Sequence, residues 1–115
     1  MTPGFLNGNL FKAKETIVND YKAFSSATIT VSGTVQLLDL SGAKANARAV
    51  HIYVDSTAVN KALRYTYDGS IPSAGVGIAR KDNDEFIITE FSNLQKFRVI
   101  QELAATTTLF ITYLY

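Results

Sequence analysis

From Ala27 onward the chain alternates apolar and polar residues with a period of two. Ala27, Ile29, Val31, Val35 and Leu37 share one parity, and Thr28, Thr30, Ser32, Thr34 and Gln36 hold the other. Only a pleated strand puts such a set on one face, so this region predicts a half-buried strand, or two strands with Ser32-Gly33 between them. The same period recurs at Val50, Ile52 and Val54, and again at Leu63, Tyr65 and Tyr67. The stretches Phe86 to Thr89, Phe97 to Ile100 and Thr107 to Tyr113 are rich in β-branched and aromatic residues. Turn chemistry separates them. Asp68-Gly69-Ser70-Ile71-Pro72-Ser73 is one break, Gly75 and Gly77 prolong it, and Asp82-Asn83-Asp84 is another. Ile78 and Ala79 read as a short edge strand. Five to eight short strands at this spacing, with no crossover long enough for a βαβ unit, predict an all-β fold. The expected form is an antiparallel β-sandwich of jelly-roll or immunoglobulin-like size.

Residues 1–25 have a different character. Pro3, Gly4, Asn7, Gly8 and Asn9 make a turn-rich start. Ile17, Val18, Tyr21 and Phe24 then fit one face of a short helix that Asn9 caps. The rival reading is an extended arm on a neighbouring subunit. The expected organisation is therefore an arm or short helix over 1–25 and a sandwich domain over 26–115.

Composition removes whole classes of chemistry. A chain of 115 residues is sized for one domain. It has no Cys, so it has no disulfide framework and no thiolate nucleophile or ligand. His51 is its single histidine, which excludes any site that needs two imidazoles. No Gly-x-Ser-x-Gly elbow accompanies His51, so it reads as a sheet-surface or subunit-contact residue. Eleven basic residues against ten acidic ones give no bulk charge for nucleic acid. Arg64, Tyr65, Tyr67, Lys96, Phe97 and Arg98 would have to share one face to bind a single strand by stacking, and the parity of Tyr65 and Tyr67 with Leu63 points to the core side. No apolar run is long enough for a membrane span. Asp82, Asp84, Glu85 and Glu90 form the densest acidic group, but they lack the spacing of a calcium loop and read as a solvated turn. Gly75-Val76-Gly77 is too short for a phosphate cradle. The expectation is a protein with no metal, no cofactor and no enzymatic activity.

The aromatic load points to contacts. Six Tyr and seven Phe stand in a chain without Trp. Tyrosine pairs an apolar ring with a hydroxyl suited to water, so a surplus of Tyr suits an interface. In the last strand both parities carry apolar residues: Leu109, Ile111 and Tyr113 against Phe110 and Leu114. A strand apolar on both faces is expected to be covered on both, by the domain's other sheet or by another chain. Phe11, Ile17, Val18 and Tyr21 are the expected arm contacts, with Tyr113 and Tyr115 as further partner-binding candidates. Arg64 and Arg98 are expected to brace a turn or a carboxylate.

The segment Arg64-Tyr65-Thr66-Tyr67-Asp68-Gly69-Ser70-Ile71-Pro72-Ser73, the Gly75–Gly77 loop, the Asn93-Leu94-Gln95-Lys96-Phe97-Arg98-Val99-Ile100 stretch and the Thr-rich close at Thr106–Tyr113 resemble small β-sandwich structural proteins of tailed bacteriophages. The resemblance covers roughly residues 48–115. Gln101-Glu102-Leu103 departs from it, standing where a small, Gly-rich turn is expected, and the N-terminal third matches nothing in it. The resemblance implies a non-enzymatic virion component at the capsid surface, a decoration or cement protein that binds the assembled major capsid protein. It also implies a homo-oligomer, with a trimer favoured. The alternatives are a head–tail or tail accessory protein and a carbohydrate-binding β-sandwich module.

Overall fold

The computed structural model describes residues 21–102 and 106–115. Among the described residues seven strands form two antiparallel sheets that pack as a sandwich. They are β1 (Ala23–Val31), β2 (Ala49–Ser56), β3 (Leu63–Thr66), β4 (Ile78–Arg80), β5 (Glu85–Thr89), β6 (Arg98–Gln101) and β7 (Thr107–Leu114). The first sheet has the order β1-β7-β2-β5, and the second has the order β4-β3-β6. A six-residue helix, α1 (Phe91–Lys96), carries the chain from β5 in one sheet to β6 in the other.

Register puts the alternating residues into rows. Ile29, Leu109 and Val54 make one inward row, and Ala27, Ile111, Ile52 and Phe86 make the next. Tyr113, Val50 and Ile88 form a third. From the second sheet Leu63, Tyr65 and Val99 close on these rows, with Leu94 and Phe97 sealing one end. Val50, Ile52, Val54, Leu63, Phe97, Val99 and Leu109 have no exposed surface. Burying each such side chain contributes about 1.5–3 kcal/mol.

The expected alternation breaks at Ser32-Gly33. β1 ends at Val31, and beyond it only Gln36 makes a bridge, to Val99 of β6. The bend at Gly33 shifts the parity before that bridge, so Leu38 is buried while Leu37 is half exposed. β1 begins at Ala23, inside the expected arm, so Phe24 belongs to a strand and not to a helical face. No helical period in the sequence announces the six-residue α1.

The last strand is covered fully on one face and in part on the other, where Leu114 is buried at 3%. Leu109, Ile111 and Tyr113 are buried between the sheets, whereas Phe110 is 44% exposed on the outer face and leans on Tyr53 at 6.4 Å. Tyr113 is therefore core and not a partner contact: its relative exposure is 0%. Lys44 lies over its ring at 5.6 Å, and its hydroxyl has no well-aligned hydrogen bond. Burial, with Asp39 nearby, pushes this hydroxyl up to about 12.

The unfolded chain ionises a tyrosine near pH 10. The native state thus contributes its full share below that value and loses it as pH rises towards 12. Spectrophotometric titration should show one tyrosine step near 12, absent in Tyr113→Phe. The variant should be about as stable as the wild type at neutral pH, because the lost hydroxyl has no well-aligned partner. It should lose less urea stability than the wild type between about pH 9 and about pH 11.

Candidate partner-binding surface

The segment between β3 and β4 is built to hold a fixed shape. Asp68 Oδ1 accepts the Ser70 N–H at 2.9 Å, and Thr66 Oγ1 donates to the Ser70 carbonyl at 2.6 Å. The Ser70 hydrogen bonds hold the Asp68 carboxyl below its ordinary range. Gly69 between them has φ +91°, which only glycine adopts without strain. Pro72 is buried, and Ser73 and Val76 exchange two backbone hydrogen bonds across a tight turn. Gly77 has φ +113°, and a Cβ there would sit 2.8 Å from the Tyr65 carbonyl oxygen.

Arg64 fastens this loop from below. Its guanidinium donates to the Gly77 carbonyl at 3.0 Å, and its Nε lies 3.1 Å from Glu102 Oε2. That second contact is off-line for a hydrogen bond, so it acts mainly through charge. Both side chains are largely buried. Arg64 thus braces a turn and a carboxylate together. Glu102, in the segment that departs from the resemblance, supplies the carboxylate. Arg98 lies against the Phe97 and Gln95 carbonyls at the end of α1, a structural position as well.

What the loop displays is apolar. Tyr67, Ile71, Val76 and Ile78 are 43%, 63%, 43% and 44% exposed. A groove of about 320 Å³ runs between Tyr67, Asp68, Ser70, Val76 and Ile78. A second, of about 450 Å³, continues past Tyr67 and Ile78 to Arg80 and Phe86, in the gap between the edge strands β4 and β5. Tyr67 is the outer end of an aromatic stack. Its ring lies 6.3 Å from Tyr65, which lies 4.4 Å from Phe86 at an angle of 10°. The Arg80 guanidinium covers Phe86 at 4.8 Å. Rings anchored in a core in this way lose little freedom on binding, a property of interface anchors.

The other candidates fall elsewhere. Tyr115 is 49% exposed and meets Phe24 edge-on at 5.0 Å. Tyr21 is half-buried, with the Arg48 guanidinium 4.9 Å from its ring centre. Phe11, Ile17 and Val18 lie outside the described residues. Tyr65 and Phe97 are buried, so the aromatic and basic residues weighed for nucleic acid share no exposed face. His51 Nε2 is 3.4 Å from Glu85 Oε2 on the outer face of the first sheet. The acidic turn is architectural. Asp82 accepts the Ser56 N–H, and Asn83 at φ +68° accepts the Tyr53 hydroxyl at 2.6 Å. Partial burial raises the Asp84 carboxyl, but the Lys81 N–H and ammonium outweigh it and hold it low. Among the described residues no three acidic or histidine side chains converge on a metal position.

No protein-family model matches the chain, and neither a curated protein nor a solved structure does.

The two glycines should respond differently to substitution. Gly69→Ala meets open space, so it should cost about 1–2 kcal/mol of backbone strain alone. Gly77→Ala adds a backbone clash and should cost clearly more. Urea unfolding of both variants measures the order, and equal losses would show that Gly77 can move away from Tyr65.

Proposed function

We propose that this chain is a non-enzymatic virion structural protein, a decoration protein that binds and stabilises the assembled major capsid shell through the Tyr67–Ile78 surface. One observation carries the reading. The segment that resembles phage sandwich proteins, Arg64 to Ser73 with its glycine loop, anchors Tyr65 and Pro72 in the interior and displays Tyr67, Ile71 and Val76 to water. A rigid apolar surface on a small sandwich suits docking onto another protein better than it suits chemistry. Binding only the assembled shell stabilises it by mass action. The protein works at the capsid surface as a homo-oligomer. A head–tail or tail accessory role uses the same surface on a ring-shaped partner.

Copy number in purified particles separates these readings. Mass spectrometry should find copies on the order of the shell subunits, cross-linked to the major capsid protein; about six to twelve copies, linked to connector or tail proteins, would place the chain in a ring. Ile71→Asp and Val76→Asp keep the fold because both side chains face water. Each should lower particle occupancy at least about tenfold, which is about 1.4 kcal/mol of binding. Absence of the wild-type chain from particles overturns the virion role. Undiminished occupancy of both variants moves the contact to another surface.

A further inference from the structure

Of the four sheet edges among the described residues, β6 is covered by the segment after β1, through Ser32 and Gln36, and the other three are not alike. β4 is three residues long and ends in Arg80. β5 is five residues long and starts with Glu85. Short length and charge are the usual devices that stop an open edge from pairing. β1 has neither. It runs for nine residues, Ala23–Val31, as AFSSATITV, and residues 23–38 contain no charged side chain and no proline. One irregularity interrupts it, between Ala23 and Ser25. From Ser25 to Val31 it is regular, and among the described residues only β7 pairs with it.

Backbone parity shows what this edge offers. Lys22 and Tyr115 exchange both hydrogen bonds, at 2.8 and 3.0 Å, while the Leu114 carbonyl accepts from Arg48 on the β2 side. Alternation along β7 therefore turns Tyr113, Ile111 and Leu109 towards β1, and their partners Ser25, Ala27 and Ile29 turn back to them. This leaves the N–H and C=O groups of Ser26, Thr28 and Thr30 directed away from the sheet. These three are symmetric about Thr28.

We propose that β1 pairs antiparallel with β1 of a second copy about a two-fold axis at Thr28, joining two four-stranded sheets into one of eight strands. In this register Thr28 faces Thr28 of the partner copy and Ser26 faces Thr30, so all six outward backbone groups on each strand are satisfied. On the outer face the pairs are Thr–Thr and Ser–Thr, which suit cross-strand neighbours. On the inner face Ala27 meets Ile29 of the other copy. Both residues are only part-buried in the single chain, because the second sheet does not cover the inner side of β1 fully. A second copy is the occupant the edge favours. The strand carries no charge to select a different partner, and none to repel its own copy.

Sedimentation of the full chain tests the pair, and the absence of Cys makes a cross-link unambiguous. The wild type should sediment as a dimer. Thr28→Lys sets two like charges opposite each other on an exposed position. It should raise the dissociation constant at least about tenfold with unchanged circular dichroism. Thr28→Cys should oxidise readily to a covalent dimer, since hydrogen-bonded partners lie about 5.5 Å apart between Cα atoms. Thr30→Cys should not, because its two copies are offset by four residues, about 13 Å. A monomer or a trimer in sedimentation overturns the proposal, and so does equal oxidation of the two cysteine variants.

Discussion

The fold depends on where its last strand goes. β7 lies between β1 and β2, and it supplies both with their backbone partners over nearly their whole length. Without it β1 would have no sheet, β2 would hold only β5, and the rows through Leu109, Ile111 and Tyr113 would be empty. The pairing joins Ala27 to Ile111 and Ile52 to Ile111, contacts that close very long loops. Such closure costs conformational entropy before it brings any burial, so folding of this chain should be slow relative to its size. The composition of β7 answers that cost. It consists of β-branched, aromatic and leucine residues, and its inward side chains have almost no exposure.

Much of this was legible in period and turn chemistry. Val50, Ile52 and Val54 alternate and are buried as alternation requires. The edge strand at Ile78, the Asx turn at Asp82 to Asp84 and the positive φ at Gly69 follow from local residue types. α1 was not legible, because FSNLQK is too short to show a helical period, and its one buried residue, Leu94, is fixed by the end of the sandwich it plugs. The parity of Val35 and Leu37 misled for a related reason. The bend at Gly33 resets which side chains face inward, and the bridge from Gln36 to Val99, a tertiary event, holds the new parity.

The surface was only half legible. Alternation says which residues share a face but not which face is covered. Tyr113 and Tyr115 share parity, yet one lies between the sheets and the other projects past the end of β7. Tyr67 has the parity of Leu63 and Tyr65, but β3 stops at Thr66, and the Asp68 turn carries Tyr67 out of the row. The braces were equally hidden. Nothing near Glu102 in sequence suggests Arg64 as its partner. The antiparallel pairing of β3 and β6 brings them together.

The two proposed surfaces are compatible because they lie on opposite margins of the sandwich. The segment following β1 bonds to β6, through Ser32 to Gln101 and Gln36 to Val99, so β1 lies on the β6 side. Tyr65 stacks on Phe86, and the second groove runs between β4 and β5, so the Tyr67–Ile78 surface lies on the other. A pair joined through β1 would leave both of its apolar surfaces open. Against a partner that repeats, a two-headed unit gains from effective concentration once one head is bound, with no new contact at either site. A modest surface of four exposed side chains would then hold an assembly more tightly than a single chain, provided the repeat matches the span. Affinity would fall with the pair as well as with the surface, and the two losses would be separable. Breaking β1 pairing leaves each head intact, whereas altering Ile71 or Val76 leaves the pair intact.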